Sequence, residues 1–572
     1  MNLNFWKTLT LCFFISSMVQ AQNAIPENWF NLDKVNADVQ AGVNVEQAYS
    51  TLLKGKKGQT IIVAVIDSGV DVEHEDLKSV IWQNTDEIPG NGIDDDKNGY
   101  IDDVNGWNFL GGKDGQNVNQ ETLELVRVYK KLKAEFEGKE ANQIGKKDKK
   151  AFALYQQTKQ RIEKEREEAS TNLAQYESIK PILLESLNVV EEALKGKEPT
   201  IANVSALQGG FDQLLDVGKS TVLNILNEGA EVTSMEDIKT EMKGQLQEGI
   251  DHFSEQLDYN LNLEFDARKI VGDDYENQTE KGYGNNDVEG PDATHGTHVA
   301  GIIGAVRNND IGMNGVADNI QIMPIRAVPN GDERDKDVAN AIRYAVDNGA
   351  SVINMSFGKD YAWNKKIVDD AVRYAARKDV LLVHAAGNDS REIEAKNNFP
   401  NDVYAKKKLF GAKKAKNWVE VGALSWKVGE NSIASFSNFD KENVDLFAPG
   451  EKIYSTIPGS KYKNLQGTSM AAPVVAGVAA VLRSYFPKLS AAQVKQILLE
   501  SVTPLNMNVI KPGTEGEKVP FSNLSVTGGA VNAYQAVKKA TMVKGKKKGK
   551  KASGKSSGGS SVTSVKKKEK VA

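Results

Sequence analysis

The sequence predicts an α/β fold: a mostly parallel sheet with helices on both faces, carrying a large helical insertion. Three observations predict it. Short apolar runs alternate with helical patterns over 60–118 and 266–540, and such alternation marks a parallel sheet covered on both faces. Between these stretches, residues 119–265 are dominated by Lys, Glu, Gln and Leu, and no proline occurs between Pro89 and Pro181. Small-residue motifs follow the apolar runs and open the helical patterns, the places where an open α/β sheet holds its functional groups.

The composition agrees. The chain has 572 residues, 40% apolar and 26% charged, as a soluble globular protein does. One Cys excludes a disulfide scaffold. No apolar run beyond the N-terminus approaches the length of a bilayer span. The net charge of -5 argues against a nucleic-acid binder, but it hides unlike parts. Residues 541–572 carry +10, the first 21 carry +1, and the remainder carries -16.

The elements follow in order. Lys7, an apolar stretch from Leu9 to Ile15, and Val19 and Ala21 at the -3 and -1 positions form a signal-peptide pattern over 1–21, cut after Ala21. Bulky Leu11, Phe13 and Phe14 around Cys12 do not fit a lipoprotein signal, so Cys12 leaves with the leader. The mature protein is expected outside the cytoplasm, secreted, periplasmic or at the cell surface. Residues 22–59 form an N-terminal extension or short pro-segment. Ile61-Ile62-Val63-Ala64-Val65-Ile66 reads as a buried strand, followed by an Asp- and Gly-rich loop.

In 119–265, Leu183, Leu187, Val190 and Leu194 recur on one helical face. This block reads as several helices, with Pro199 and Gly209-Gly210 as boundaries. Further on, 352–355, 380–383 and 419–421 read as strands, and 337–348, 364–377 and 490–501 as helices. The Lys/Gly/Ser tail 541–572 has too few apolar side chains to offset ordering entropy and is expected to be disordered.

Three segments carry the chemistry. Ala64-Val65-Ile66-Asp67-Ser68-Gly69-Val70 is an apolar strand ending in a carboxylate. Thr294-His295-Gly296-Thr297-His298-Val299-Ala300-Gly301 and Gly467-Thr468-Ser469-Met470-Ala471-Ala472-Pro473 each open a helix. Singly, each has an ordinary structural role: Asp67 in a turn, His295 capping or binding metal, Ser469 as an N-cap. Together, in the order Asp, His, Ser, they match the chain order of subtilisin. On these motifs the chain resembles the subtilisin family (subtilases) of serine peptidases, over roughly 60–118 and 268–536.

The resemblance implies a doubly wound α/β fold and peptide-bond hydrolysis of protein or peptide substrates. Ser469 is the nucleophile, His295 the base, and Asp67 the group that orients the imidazole. Ser469 opens a helix, where free N–H groups and the helix dipole favour an anion. Ala385-Ala386-Gly387-Asn388 matches the family's oxyanion segment, with Asn388 supplying a donor. The substrate lies extended against Ser356-Phe357-Gly358, and Ala385, Ala386 and Gly387 line its first pocket. The opposite segment, Asn330-Gly331-Asp332-Glu333-Arg334-Asp335, departs from the family's Gly-rich pattern. Its acids either favour basic side chains further up the substrate or form a solvated loop. His298 and His74 are assigned to structure.

The chemistry requires no cofactor. A structural calcium ion is a separate expectation. Asp94, Asp96 and Asn98 fit the first positions of a calcium loop, Tyr100 offers its carbonyl, and Asp102 fits the ninth. Position twelve is Asn105, not Glu, and Asp103 compensates. The competing reading is a hydrated acidic turn. Gly218-Lys219-Ser220 is no phosphate loop, because Gln213 stands where a Gly is needed.

Two features depart from the family. The Asp-to-His interval is 228 residues, and the helical block 119–265 accounts for most of it. Both its flanks lead to triad residues, so it should emerge beside the active-site face, where it gates substrate, contacts a partner or decorates the fold. Residues 22–66 are also too few for a separate propeptide domain. The competing functions are a binding scaffold on the same fold, and a surface-attached protein held by the basic tail.

Overall fold

Val63 and Val65 of β1 (Ile61–Asp67) face one side of a sheet and Ala64 and Ile66 the other, all fully buried. A strand buried on both faces needs a continuous apolar run, which this segment supplies. The computed structural model describes residues 25–33, 41–208, 212–227, 232–405 and 412–545. The signal segment 1–21 with Cys12, the Gly209-Gly210 boundary and the tail from 546 onward lie outside the described residues.

Among the described residues, nine strands form the main sheet. They are β1, β2 (Trp107–Asn108), β3 (Ile320–Arg326), β4 (Ala350–Met355), β5 (Leu381–Ala385), β6 (Trp418–Leu424), β7 (Leu446–Pro449), and the short β10 (Thr503–Pro504) and β13 (Gly529–Ala530). Two hairpins stand apart: β8 (Ile453–Ile457) with β9 (Lys461–Leu465), and β11 (Asn508–Ile510) with β12 (Lys518–Pro520). The sheet order is β10-β13-β7-β6-β5-β4-β1-β3-β2, parallel throughout except between β10 and β13. The chain passes from β1 to β3 on one side and returns to β4 on the other. β1 is therefore the topological switch point, and Asp67 ends it.

Helices cover both faces. α5 (Thr294–Gly304), α8 (Thr468–Tyr485), α9 (Ala491–Glu500) and α10 (Ala533–Ala540) pack on the Val63 side, and α6 (Asp335–Asp347) and α7 (Lys365–Lys378) on the Ala64 side. The anticipated strands and helices of the two outer stretches all form, and the fold is the expected doubly wound sheet. The β8–β9 hairpin carried no strong sequence signal and was not anticipated.

The insertion builds its own cores. α1 (Glu124–Phe136), α2 (Lys149–Leu194), α3 (Gln213–Asn227) and α4 (Met235–Glu255) are its main helices. α2 has 46 residues, about 70 Å at 1.5 Å per residue, and continues through Pro181. Leu187, Val190 and Leu194 are buried against α3 and α4, as their spacing predicts. Nearer the sheet, Tyr129, Phe136, Phe152 and Tyr155 form a second cluster between α1 and α2.

Candidate active site

The switch point brings Asp67 to the head of α5. The Asp67 Oδ1 oxygen lies 2.6 Å from His295 Nδ1 and also accepts the Ser68 N–H at 2.8 Å. Gly296 permits this approach: a Cβ there would lie 2.1 Å from the Gly69 carbonyl. Asp67 is 1% exposed, whereas the His295 side chain is 39% exposed. Burial pulls the His295 value down, but the charge and hydrogen bond of Asp67 outweigh it, so the imidazole titrates above the usual histidine value.

Ser469 sits in the first turn of α8, after Gly467 at φ +149°. Proline at 473 has no N–H, so the Ser469 carbonyl lacks its helix partner. That carbonyl instead accepts the Ser356 hydroxyl at 2.8 Å, while Ser469 Oγ donates to the Ser356 carbonyl at 3.1 Å. The two serines thus tie α8 to the end of β4. In this rotamer Ser469 Oγ bonds Ser356 rather than His295.

Asn388 follows β5 with its amide direction fixed. Its Oδ1 accepts both the Thr468 N–H at 2.8 Å and the Thr468 hydroxyl at 2.9 Å, leaving Nδ2 as a donor beside Gly467. The Gly387 N–H donates to Thr468 Oγ1 at 3.0 Å, which braces the segment.

Two cavities flank these groups. The first, about 350 Å³, includes Phe357, Gly358, Ala385, Gly387, Asn388 and Ser469 in its walls. Leu123, Leu125 and Arg161 from the helical insertion also line it. The second, about 440 Å³, is lined by Asp67, His295, Ser356, Phe357 and Gly358 on one side and by Asn330, Gly331 and Glu333 on the other. Ala386 is a correction to the sequence reading. It is fully buried in the core with Leu424 and Phe447 and does not line the first cavity. It alternates away from the cleft at the strand end, and its carbonyl accepts Asn438 Nδ2 at 3.0 Å.

His298 and His74, assigned to structure from the sequence, both contact main chain. His298 Nε2 is 2.9 Å from the Lys463 carbonyl and His74 Nε2 is 3.1 Å from the Lys461 carbonyl, so both hold the β8–β9 hairpin. Burial brings His298 down to about 4.

The acidic loop is arranged differently from the twelve-residue template. Asp94 accepts the N–H groups of Asn98 and Gly99, and Asp102 those of Asn91 and Gly92. Asn98 Oδ1 accepts the Tyr100 N–H at 2.8 Å. Of the five residues read as ligands, only Asp96 belongs to the carboxylate cluster. Glu87, Asp96 and Asp103 each place an oxygen within 4.8 Å of the others'. Glu87 precedes the template and was missed.

Residues 58–516 match the profile of the subtilase family. The chain belongs to the subtilase family. This subtilase is 40% identical over 215 residues to a thermophilic serine proteinase of Bacillus sp. (strain AK1), covering 37% of this chain and 48% of the relative. It is 35% identical over 245 residues to thermitase of Thermoactinomyces vulgaris, covering 42% and 74%. The chain thus spans about half the length of the Bacillus relative. A solved protease of Pseudoalteromonas arctica PAMC 21717 is 27% identical, with TM-score 0.35, over 45% of this chain and 78% of that one. No helix among the described residues is long and apolar enough to cross a membrane.

Proposed function

We propose that this subtilase is a serine endopeptidase acting through an acyl-enzyme. The observation that carries the reading is the 2.6 Å contact between Asp67 and His295 Nδ1. It commits Nδ1 to the carboxylate and leaves Nε2 as the basic nitrogen. Ser469 Oγ turns from Ser356 toward His295, gives up its proton and attacks the peptide carbonyl. His295 passes that proton to the leaving amine, and water then cleaves the ester by the same route. The oxyanion is met by the Ser469 N–H in the first turn of α8 and by Asn388 Nδ2, already oriented by Thr468. The substrate strand lies between Ser356–Gly358 and Asn330–Gly331, with its first side chain in the cavity lined by Ala385 and Gly387.

The test is casein hydrolysis by wild type and Ser469→Ala, with a serine-directed inhibitor. Activity in wild type and none in the variant is expected. An inactive wild type supplied with calcium refutes the reading.

Two further readings accompany it. The signal pattern of 1–21 places the enzyme outside the cytoplasm. A structural calcium ion is held by Glu87, Asp96 and Asp103, a hard oxygen set suited to that cation. Burial pushes Asp103 up to about 6, against hydrogen bonds from Tyr344, Asn84 and Asn98. A cation there would relieve the crowded carboxylates.

A further inference from the structure

We propose that the helical insertion completes the substrate groove: α1 closes its upstream end, and the Glu333 carboxylate stands there to receive a positively charged group of the substrate. The inference rests on the peptidase reading, which sets the direction of the groove.

The insertion is stitched to the groove wall by main chain. The Glu121 N–H donates to the Asn330 carbonyl at 2.9 Å, and the Asn330 N–H to the Asn119 carbonyl at 2.8 Å. At the other end of the insertion, Asn260 Nδ2 donates to the Glu121 carbonyl at 3.0 Å. Asp332 Oδ2 accepts the Glu124 N–H at 2.7 Å, so the wall itself caps the first turn of α1.

The opposite wall is joined at the same place. Lys359, next to the substrate-facing Gly358, pairs with Asp335 at 2.9 Å and Glu124 at 3.3 Å. It also donates to the Glu333 carbonyl at 2.6 Å. Arg127 of α1 pairs with Glu124 and donates to the carbonyls of Asp332 at 3.1 Å and Glu333 at 3.2 Å. Both strands that would flank a substrate are therefore cross-linked under α1. A chain entering from the active serine meets this closure after a few residues.

The acids of the segment are not equivalent. Asp332 Oδ2 accepts the Glu124 N–H and its side chain borders the first cavity, whereas Asp335 is spent on Lys359 and on the Asn364 N–H at 2.5 Å. Glu333 is 1% exposed, lines the cavity that contains His295, and its Oε1 has no hydrogen-bond partner among the described residues. A buried, unmatched carboxyl is costly. The cations nearby are committed: Lys359 and Arg127 as above, and Arg334 to Glu121 at 2.7 Å. Arg326 stands at the Asp67 wall of the cavity and donates to the Ser68 carbonyl at 2.8 Å. Burial, opposed by Lys359 and reinforced by Asp332, raises the Glu333 carboxyl to about 8. An arriving ammonium or guanidinium would exchange for that proton. The cation comes either from a Lys or Arg side chain or from the α-ammonium of a chain beginning there.

Fluorogenic peptides test this. They carry Lys or norleucine at each of the second to fifth positions upstream of the cut, with free or acetylated N-termini. The readout is the kcat/KM ratio of charged to neutral peptide within one enzyme, which cancels the active fraction. Wild type is expected to show a ratio of about 10 to 100 at one position, the size of a charge-assisted buried hydrogen bond, and Glu333→Gln a ratio near 1. Dependence on Lys identifies a side chain as the source, and dependence on the free terminus identifies a chain end. Residues added beyond the charged position should not raise kcat/KM further. A flat ratio in wild type, a ratio that survives in Glu333→Gln, or steady gains with each added residue overturns the proposal. Cleavage of none of the peptides by wild type refutes the peptidase reading itself and is told apart from a flat ratio.

Discussion

Lys359→Met removes one of the cations that join the insertion to the groove. The Lys359 side chain is 1% exposed and its ammonium serves Asp335, Glu124 and the Glu333 carbonyl. Breaking one partner out of a buried ion pair costs about 3–5 kcal/mol, because the remaining charge stays desolvated. At about 2.1 cal/mol/K per residue, a folded body of roughly 500 residues loses about 1 °C per kcal/mol, so the apparent Tm should fall by roughly 3–5 °C at pH 8. The pH dependence identifies the cause. Burial pushes the Glu124 carboxyl up, but Arg127 and Lys359 more than reverse this, so it ends below its usual value. A carboxyl held down stabilises the fold above its unfolded value near 4.5 and loses that contribution as pH falls through the lowered one. Without Lys359 the value moves up, so the deficit is largest at pH 8 and shrinks toward pH 4. Scanning calorimetry of wild type, Lys359→Met, Glu124→Leu and the double variant at both pH values measures the coupling. Additive losses within about 0.5 kcal/mol, or a deficit independent of pH, would refute this account of the network.

Asp67→Asn should lower kcat about 10,000-fold and move the acid limb of kcat/KM to lower pH, because the charge that holds His295 above its usual value is gone. A pH profile on a neutral peptide reads both, and an unmoved limb would show that Asp67 does not set the base. Calcium added to chelator-stripped protein should raise Tm, by about 2.7 kcal/mol of stability at one hundred times Kd. Asp103→Asn and Glu87→Gln should lose that shift. If calorimetry detects no calcium binding, the loop is a hydrated turn.

The fold and the candidate site groups were legible because each is written in contiguous residues. The strand 61–66 is a single apolar run, and Asp67, His295, Ser469 and Asn388 each sit inside a motif whose neighbours do local work. Gly296 lets the Gly69 carbonyl approach, Thr468 aims the Asn388 amide, and Pro473 frees the Ser469 carbonyl for Ser356. Contacts across long separations left no such trace. Glu124 and Lys359 are 235 positions apart, and no pattern in either segment names the other. The acids of 330–335 looked alike in sequence, and only their partners distinguish Glu333 from Asp332 and Asp335. Ala386 was misplaced because a motif fixes the order of residues and not which way each side chain turns. Glu87 lies outside the loop template, which counts along the chain, whereas a turn folds it beside Asp96 and Asp103.

The site of the insertion explains why its attachment is charged and buried rather than apolar. It leaves the chain after β2 and returns before α5, so both ends must settle beside the groove. Residues 119–121 occupy the edge of Asn330, where an unpaired strand edge would otherwise remain. An apolar seal at this place would also hold the insertion, but it would offer no direction to the wall acids. The Lys359 ion pair engages Asp335, the Glu124 N–H engages one oxygen of Asp332, and Glu333 Oε1 keeps no hydrogen-bond partner among the described residues. In the proposal above, the same bonds that anchor 119–265 set which charge the substrate meets. Variants that loosen α1 should consequently alter upstream selectivity as well as stability, while the Asp67–His295 pair, held by β1 and α5, stays in place.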